Sequence, residues 1–348
     1  MYLTAKEFAN AIKKDFYEYE LETDDLEKRL NAIKVQYEKI AKDLPEFTFE
    51  KEFDAINTKF QNVVDNLLKE FYTHLPNNIK AKFEKHFYFT TIDNKSIKAH
   101  IRQSSNKSFF GVFINSSLIN LLTKIGKLDA ALSNPECVVF CNRFPETKPN
   151  KEDIKKMRDE QFEYFSTYKM SHGPFIIIEG PEANTHFSRL HIQEQFIFFH
   201  EIAHFLNGDL FQDRDDQKLI TPFLNLNHQR EHLADLLAFA LLLRQHSIQG
   251  KVDDEQGLFI MSSIIGLFDV MSCLQQGESD SHPHPLDRMN AIIEGYWGVE
   301  VADLIEETYS NKYAWDKLRS FPPTLIIDLV LLMPSIDKKF EEAFNKVG

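Results

Sequence analysis

The sequence predicts a mostly helical α+β protein with a small mixed sheet and a helical N-terminal region. Apolar residues at helical spacing occupy most of the chain, which favours helices. Short runs rich in β-branched and aromatic residues are confined to its middle. With 43% hydrophobic residues and 31 Phe in 348 residues, the chain is expected to be globular and to bury a substantial core.

Residues 1–85 are predicted to form helices, with breaks near Leu44-Pro45 and Leu75-Pro76. Apolar residues recur at helical spacing from Lys28 to Lys42 and from Phe53 to Tyr72, with many charges between them. This region is expected to be a lid or interaction arm that can dock a regulatory partner. The plainer alternative is a helical subdomain packed on a catalytic core in residues 86–348.

The next part of the chain alternates strands and helices. Asn115-Ser116-Ser117 is a capping sequence for a helix from Leu118 to Ile125, and a charged helix is predicted from Lys151 to Met170. The predicted strands are Phe87–Thr91, Ile97–Ile101, Phe109–Ile114, Val138–Phe140 and a run within Pro174–Gly180. The sheet is expected to pack against the helix that follows, and helices are predicted from Met289 to the C-terminus with a break at Phe321-Pro322-Pro323.

The motif H-E-x-x-H at residues 200–204 is the most informative part of the sequence. On a helix, His200 and His204 lie one turn apart on the same face and can bind one metal ion. Glu201 projects from the adjacent flank, where its carboxylate can act as a base on a metal-coordinated water. The alternative is a buried helix with two histidines that are satisfied by hydrogen bonds. Asn207-Gly208 is a stop signal for this helix.

A second acidic motif, Glu231-His232-Leu233-Ala234-Asp235, opens a strongly helical run from Leu233 to Leu243. Glu231 can supply a third, oxygen ligand, and Asp235 can accept the free N–H of a ligating imidazole. His228 and His232 are also four residues apart, so a histidine is the alternative third ligand. It ranks second because His228 is expected to precede the start of the helix.

The third motif is Ser281-His282-Pro283-His284-Pro285-Leu286-Asp287-Arg288. Its two prolines favour an extended entry into a helix. His282 is then held where it can donate to a developing oxyanion, and Arg288 where it can anchor acidic groups beside the metal. The alternative is a proline-rich turn with surface histidines.

The three motifs in this order resemble those of the gluzincin zinc metallopeptidases of the CaaX-protease and HtpX type, and of soluble relatives such as the phage-exclusion peptidase Lit. The resemblance covers roughly residues 105 to 297. It implies a zincin-like core, zinc ligation by His200, His204 and Glu231, and Glu201 as the general base. It also implies that His282 lies near the substrate oxyanion.

The resemblance assigns a role to the strand before the H-E-x-x-H helix as well. In zincins that position belongs to an edge strand that pairs with an extended substrate. Phe175, Ile176, Ile177 and Ile178 are therefore expected to bind the substrate, with an ordinary core strand as the alternative. The membrane-spanning helices of the CaaX and HtpX type are not expected here, so their membrane substrates are not carried over.

Composition narrows the function further. The net charge of −13 and the lack of a Lys/Arg block disfavour a main role in nucleic-acid binding. The chain has three cysteines, Cys137, Cys141 and Cys273, which are too few for a disulfide framework. No signal peptide is recognisable. The longest apolar stretches, near 233–243 and 325–333, are expected to be too short to cross a bilayer. The expected location is the cytoplasm.

The sequence therefore predicts a soluble zinc endopeptidase that acts on a protein substrate. Two alternatives stay open. One is a catalytically silent, metallopeptidase-like module that regulates or binds a partner, although a module that only binds metal does not need Glu201. The other is a purely structural helical protein, in which the ordered motifs are a coincidence.

Overall fold

A computed structural model describes residues 4–16, 60–92, 97–144, 146–168, 176–211, 226–247, 252, 254–274, 282–297 and 329–347. These residues confirm a mostly helical α+β protein with a small three-stranded mixed sheet and a second, two-stranded sheet. The chain divides into two compact units, Met1–Ile119 and Asn120–Gly348. The predicted functional division at residue 85 stays a prediction.

The first unit contains three helices and the mixed sheet. The helices are α1 (Ala5–Phe16), α2 (Gln61–Thr73) and α3 (Asn77–His86), and the strands are β1 (Phe87–Ile92), β2 (His100–Gln103) and β3 (Phe110–Asn115). β3 is central, parallel to β1 and antiparallel to β2. Every residue of β3 is buried, which explains why its sequence is apolar rather than alternating. The predicted helix at residues 28–42 and the predicted break near Leu44-Pro45 lie outside the described residues.

The second unit begins within α4 (Ser116–Ser133) and contains a small sheet followed by long helices. β4 (Val138–Cys141) pairs antiparallel with β5 (Ile176–Ile178), and the charged helix α5 (Lys151–Tyr168) lies between them in sequence. The helices that follow are α6 (Pro181–Asn207), α7 (Leu226–His246), α8 (Asp254–Leu274), α9 (Pro285–Trp297) and α10 (Leu329–Phe344). The predicted break at residues 321–323 lies outside the described part.

The core of the second unit forms around α6. α6 packs against α7, α8 and α10, and α7 packs against α9 and α10. Its second half is almost entirely buried, from Glu194 through Leu206 with the exception of His204. A helix that is apolar on all sides must be covered on all sides, and the surrounding helices supply that cover. The polar side chains of the H-E-x-x-H motif are therefore held inside a packed helical core.

One described helix, α8, is long and apolar enough to cross a membrane. The stretch Glu255–Leu274 has a mean hydropathy of 1.9, and 44% of it is buried within the fold. The sequence-based expectation that the longest apolar stretches are too short overlooked this helix. Its buried face, which includes Ile260, Ile264 and Phe268, packs in the core as that of an ordinary core helix does.

Candidate metal centre

Helix α6 places the two motif histidines and Glu201 near its C-terminal end. Pro181 occupies its first turn, a position where the missing N–H costs nothing. The helix ends at Gly208, whose φ of 82° is in the left-handed region that glycine adopts easily. Backbone N–H groups there donate to the carbonyls of His204 and Phe205, which satisfies the end of the helix. The predicted stop at Asn207-Gly208 is confirmed.

Three side chains bring their ligand atoms together at one point. His200 Nε2 lies 3.1 Å from His204 Nε2 and 3.4 Å from an oxygen of Glu231, and His204 Nε2 lies 3.5 Å from the other oxygen of Glu231. Ligands at 2.0–2.2 Å from a tetrahedral zinc ion are separated by about 3.3–3.6 Å. The spacing of the three groups is therefore close to that of a tetrahedral metal site, and the group can hold a metal ion.

The tautomer of each imidazole is fixed by a carboxylate on its far side. His200 Nδ1 lies 2.9 Å from Asp235 Oδ1, and His204 Nδ1 lies 2.8 Å from Asp209 Oδ2. When each Nδ1–H donates to its carboxylate, the lone pair of each Nε2 is left facing the other ligands. This pairing of carboxylate, imidazole and metal is a common feature of metal sites in proteins.

The environment of Glu231 also fits a cation. Its Oε2 atom is buried and has no hydrogen-bond partner among the described residues. Although burial raises its pKa, hydrogen bonding and charge from His200, together with Arg288 and His204, hold the pKa well below the usual range, so the carboxylate is anionic. This oxygen lies 3.4 Å from His200 Nε2 and 3.5 Å from Arg288 Nη2, so its charge is partly balanced without a metal, and a cation between the three ligands would compensate it further.

The surroundings of His200 also favour a positive charge, in this case a protonated imidazole when no metal is bound. Burial lowers its pKa, but Asp235 and Glu231 outweigh that effect and raise the pKa to about 10. A proton on His200 therefore balances the surrounding carboxylates when the metal is absent. A divalent ion would take the place of this proton, because zinc binds only the neutral imidazole.

Arg288 at the start of α9 holds the acidic groups in place. Its Nε and Nη2 atoms donate to the two oxygens of Asp235 at 2.8 and 2.7 Å, and Nη2 lies 3.5 Å from Glu231 Oε2. The guanidinium also lies 5.4 Å from the ring centre of Phe268. Arg288 therefore lies beside both acidic groups, Asp235 and Glu231.

Glu201 lies next to the ligands on the same helix but is not one of the three. Its side chain is buried, and among the described residues no hydrogen bond holds its carboxylate. Burial raises its pKa, an effect opposed by the charges of His200 and His204. A carboxylate that is not held by other side chains and has a raised pKa is a stronger base than an ordinary glutamate.

His282 lies at the edge of the group. Its Nε2 atom is 3.8 Å from Glu231 Oε1, and 29% of its side chain is exposed. Pro283 and Pro285 follow it, and α9 begins at Pro285, four residues before the predicted start at Met289. His282 therefore lies beside the ligand group with part of its side chain open to solvent.

The alternative histidine ligands are not part of the group. Helix α7 begins at Leu226, so the expectation that His228 precedes the helix is wrong. Residues Leu226 to Arg230, which precede the apolar run, form the first turn of this helix. Among the described residues, the ligand atoms that converge belong to His200, His204 and Glu231, and neither His228 nor His232 joins them.

The predicted substrate strand is not brought to the metal group. Ile176 and Ile178 pack in one apolar cluster with Ala183, in the first turn of α6. His200 is 17 residues further along the same helix, which is about 26 Å at a rise of 1.5 Å per residue. Ile176, Ile177 and Ile178 are all buried, so they form a core strand here. Phe175 lies outside the described residues.

Asp209 is a site residue that the sequence did not reveal. The Gly208 cap turns the chain back, and the N–H of Asp209 donates to the carbonyl of His204 at 3.1 Å. The signal available in the sequence was the short spacing of His204, Gly208 and Asp209, because a left-handed glycine cap returns the next residue to the last turn.

Comparison with protein-family models, curated proteins and solved structures finds no match to this chain. The site therefore rests on its own geometry: a His-His-Glu group that can hold a metal ion. The resemblance to the gluzincin peptidases stays a prediction from the three motifs.

Proposed function

We propose that this chain is a zinc-dependent endopeptidase that hydrolyses peptide bonds in a protein substrate. The observation that carries the proposal is the spacing of the His200, His204 and Glu231 ligand atoms, 3.1–3.5 Å. Two histidines and one carboxylate are a common ligand set of catalytic zinc, because they leave a fourth position for water or substrate.

The chemistry follows from the groups around that position. When bound, zinc would lower the pKa of a coordinated water towards about 7 and would polarise a carbonyl oxygen. Glu201 removes the proton from the attacking water and passes it to the leaving nitrogen as the C–N bond breaks. His282 donates a hydrogen bond to the oxygen that gains negative charge. Asp235 and Asp209 hold the imidazoles in place throughout.

The retention of Glu201 favours this function over a catalytically silent module. A buried carboxylate without a hydrogen bond costs stability, and none of the three ligand positions requires it. In a protein that only binds metal, Gln or an apolar residue would serve as well at residue 201. A base for hydrolysis accounts for the carboxylate directly.

The substrate and the setting complete the proposal. The described cysteines are all free thiols, consistent with a reducing cytoplasm. We expect a narrow protein substrate or a gated activity, with residues 1–85 limiting access or docking a regulatory partner, since unrestricted proteolysis in a cytoplasm would be toxic. A host protein in cellular defence is a reasonable target because of the resemblance to Lit.

The test compares new protein N-termini in cells that express the wild type, Glu201→Gln or His204→Ala. Glu201→Gln is expected to abolish cleavage with zinc content nearly unchanged, whereas His204→Ala is expected to lose both. One or a few Glu201-dependent cleavages would support the proposal. Broad degradation of unfolded proteins would indicate quality control instead, and equal zinc loss in the two variants would show that Glu201 is a ligand and not a base.

A further inference from the structure

A cavity lies in the second unit, between α4, the first half of α6 and α8. Its volume is about 250 Å³, just below the range of about 300–1,000 Å³ that is typical of drug-sized ligands. Gly126, Ala130 and Gly266 line it and create space because they lack large side chains, while Leu122, Ile125 and Val270 supply apolar walls. The cavity therefore suits a small ligand with an apolar body.

The cavity is separate from the metal group. Arg189 and His186 line it and lie 11 and 14 residues before His200 on α6, which corresponds to about 16 and 21 Å along the helix axis. None of the three metal-ligand residues lines this cavity. A ligand bound here would not compete with the metal, so it can be tested without reference to peptidase activity.

Arg189 places a solvent-exposed guanidinium at the cavity. Among the described residues its guanidinium forms no hydrogen bond or ion pair, and it lies 5.9 Å from the ring centre of Phe259. Asp129, which also lines the cavity, is already bound by Arg158 at 2.6 Å. Arg158 in turn lies 3.4 Å from Asp269, so both carboxylates contact Arg158, whereas Arg189 is attracted to Asp129 without a direct contact.

His186 adds a buried polar group without a partner. Its side chain lines the cavity, the residue is 5% exposed, and its Nε2 atom forms no hydrogen bond among the described residues. Burial, together with the nearby positive charges of Lys127 and Arg189, lowers its pKa to about 3. The imidazole is therefore neutral and keeps unused hydrogen-bonding capacity, which is unusual for a buried polar side chain.

The ring of His186 is also held closely by the opposite wall. A Cβ atom at Gly126 would lie 2.4 Å from its Nδ1 atom, so only glycine allows the imidazole to take this position. The remaining charged residue of the lining, Glu182, accepts a hydrogen bond from Asn134 at 2.8 Å and is open to solvent, where its charge is screened.

We propose that this cavity binds a small monocarboxylic acid with an apolar body. The carboxylate pairs with Arg189, because a guanidinium matches the geometry of a carboxylate with two parallel hydrogen bonds. His186 supplies a further hydrogen bond, and the apolar body packs against Leu122, Ile125 and Val270. A phosphate lacks the apolar part that these walls accommodate.

The test measures binding of hexanoate and benzoate to the zinc-loaded full chain by calorimetry and by NMR of the Leu, Ile and Val methyl groups. The neutral amides of the same acids and inorganic phosphate serve as reference ligands. We expect the acids to bind and to shift the methyl signals of Leu122, Ile125 and Val270. The amides and phosphate are expected to bind at least tenfold more weakly.

Two variants locate the site. Arg189→Gln is expected to weaken binding of the acids at least tenfold, and Ala130→Leu to weaken binding of acids and amides alike by filling the cavity. Arg143→Gln is the matched control, since Arg143 pairs with Glu160 outside the cavity, and its affinity should equal that of the wild type. No acid binding at 10 mM, equal binding of acid and amide, or equal effects of the two arginine variants would overturn the proposal.

Discussion

The contact between Asp209 and His204 allows the effect of a substitution on zinc affinity to be predicted in magnitude. Replacing Asp209 by Asn keeps the shape of the side chain and an oxygen that can accept from Nδ1–H, but it removes the negative charge. The two side chains are only 10% and 15% exposed, so solvent screens the contact poorly. Asp209→Asn is therefore expected to weaken zinc binding while His204 stays in place.

The magnitude follows from the 2.8 Å contact. A hydrogen bond to a charged group contributes about 1.5–3 kcal/mol and a neutral one about 0.5–1.5 kcal/mol. The difference of about 1–2 kcal/mol corresponds to about 5- to 30-fold in affinity. Asp209→Ala, which removes the acceptor as well, is expected to approach the upper end of the roughly 10- to 100-fold range seen for such partners of metal ligands.

Zinc affinity is measured by competition with a chromophoric chelator at fixed pH. Asp65→Asn is the control, because Asp65 accepts a hydrogen bond from Gln61 on an exposed helix face and has no part in the metal group. A zinc affinity within twofold of the wild type for Asp209→Asn would refute the reasoning. It would mean that the Gly208 cap alone positions His204.

Two further predictions concern the same group. His282→Ala is expected to lower kcat by about 10²- to 10³-fold with little change in zinc affinity, because in the proposed mechanism its imidazole donates to the oxyanion and is not a metal ligand. Unchanged turnover would make the proline-rich segment a simple turn. Zinc binding is expected to strengthen about tenfold per pH unit between pH 6 and 8, because the pKa of His200 is about 10 without metal and binding must release that proton. The proton release is measured by calorimetry in buffers of different ionisation enthalpy, and a value near zero would contradict the assignment of His200 as a protonated ligand in the metal-free state.

The parts of the site that the sequence predicted are those fixed by local geometry. His200, Glu201 and His204 lie within one turn and a half of a single helix, so their spacing alone determines their relative positions. Glu231 was predictable only through the second motif, since its distance from the two histidines depends on how α7 packs against α6. The strand boundaries were predicted within three residues at each described end, because their apolar runs are short and end in polar residues.

The parts of the structure that the sequence did not predict depend on the length of helices and on the geometry of a turn. Ile176 to Ile178 are close to the H-E-x-x-H motif in sequence, but the 27-residue length of α6 separates them from it. α8 was not recognised as a long apolar helix because Gly257, Ser262, Ser263 and Gly266 interrupt its apolar run. Asp209 was missed because its role depends on the left-handed turn at Gly208 rather than on residue type.

The proposed peptidase activity depends on a zinc ion bound by His200, His204 and Glu231. Elemental analysis of the purified chain, combined with X-ray absorption at the zinc edge, tests this most directly. We predict close to one zinc per chain, with two imidazole nitrogens and at least one oxygen at about 2.0–2.2 Å. No zinc in the purified protein, and no zinc uptake after a chelator has stripped it, would contradict the account.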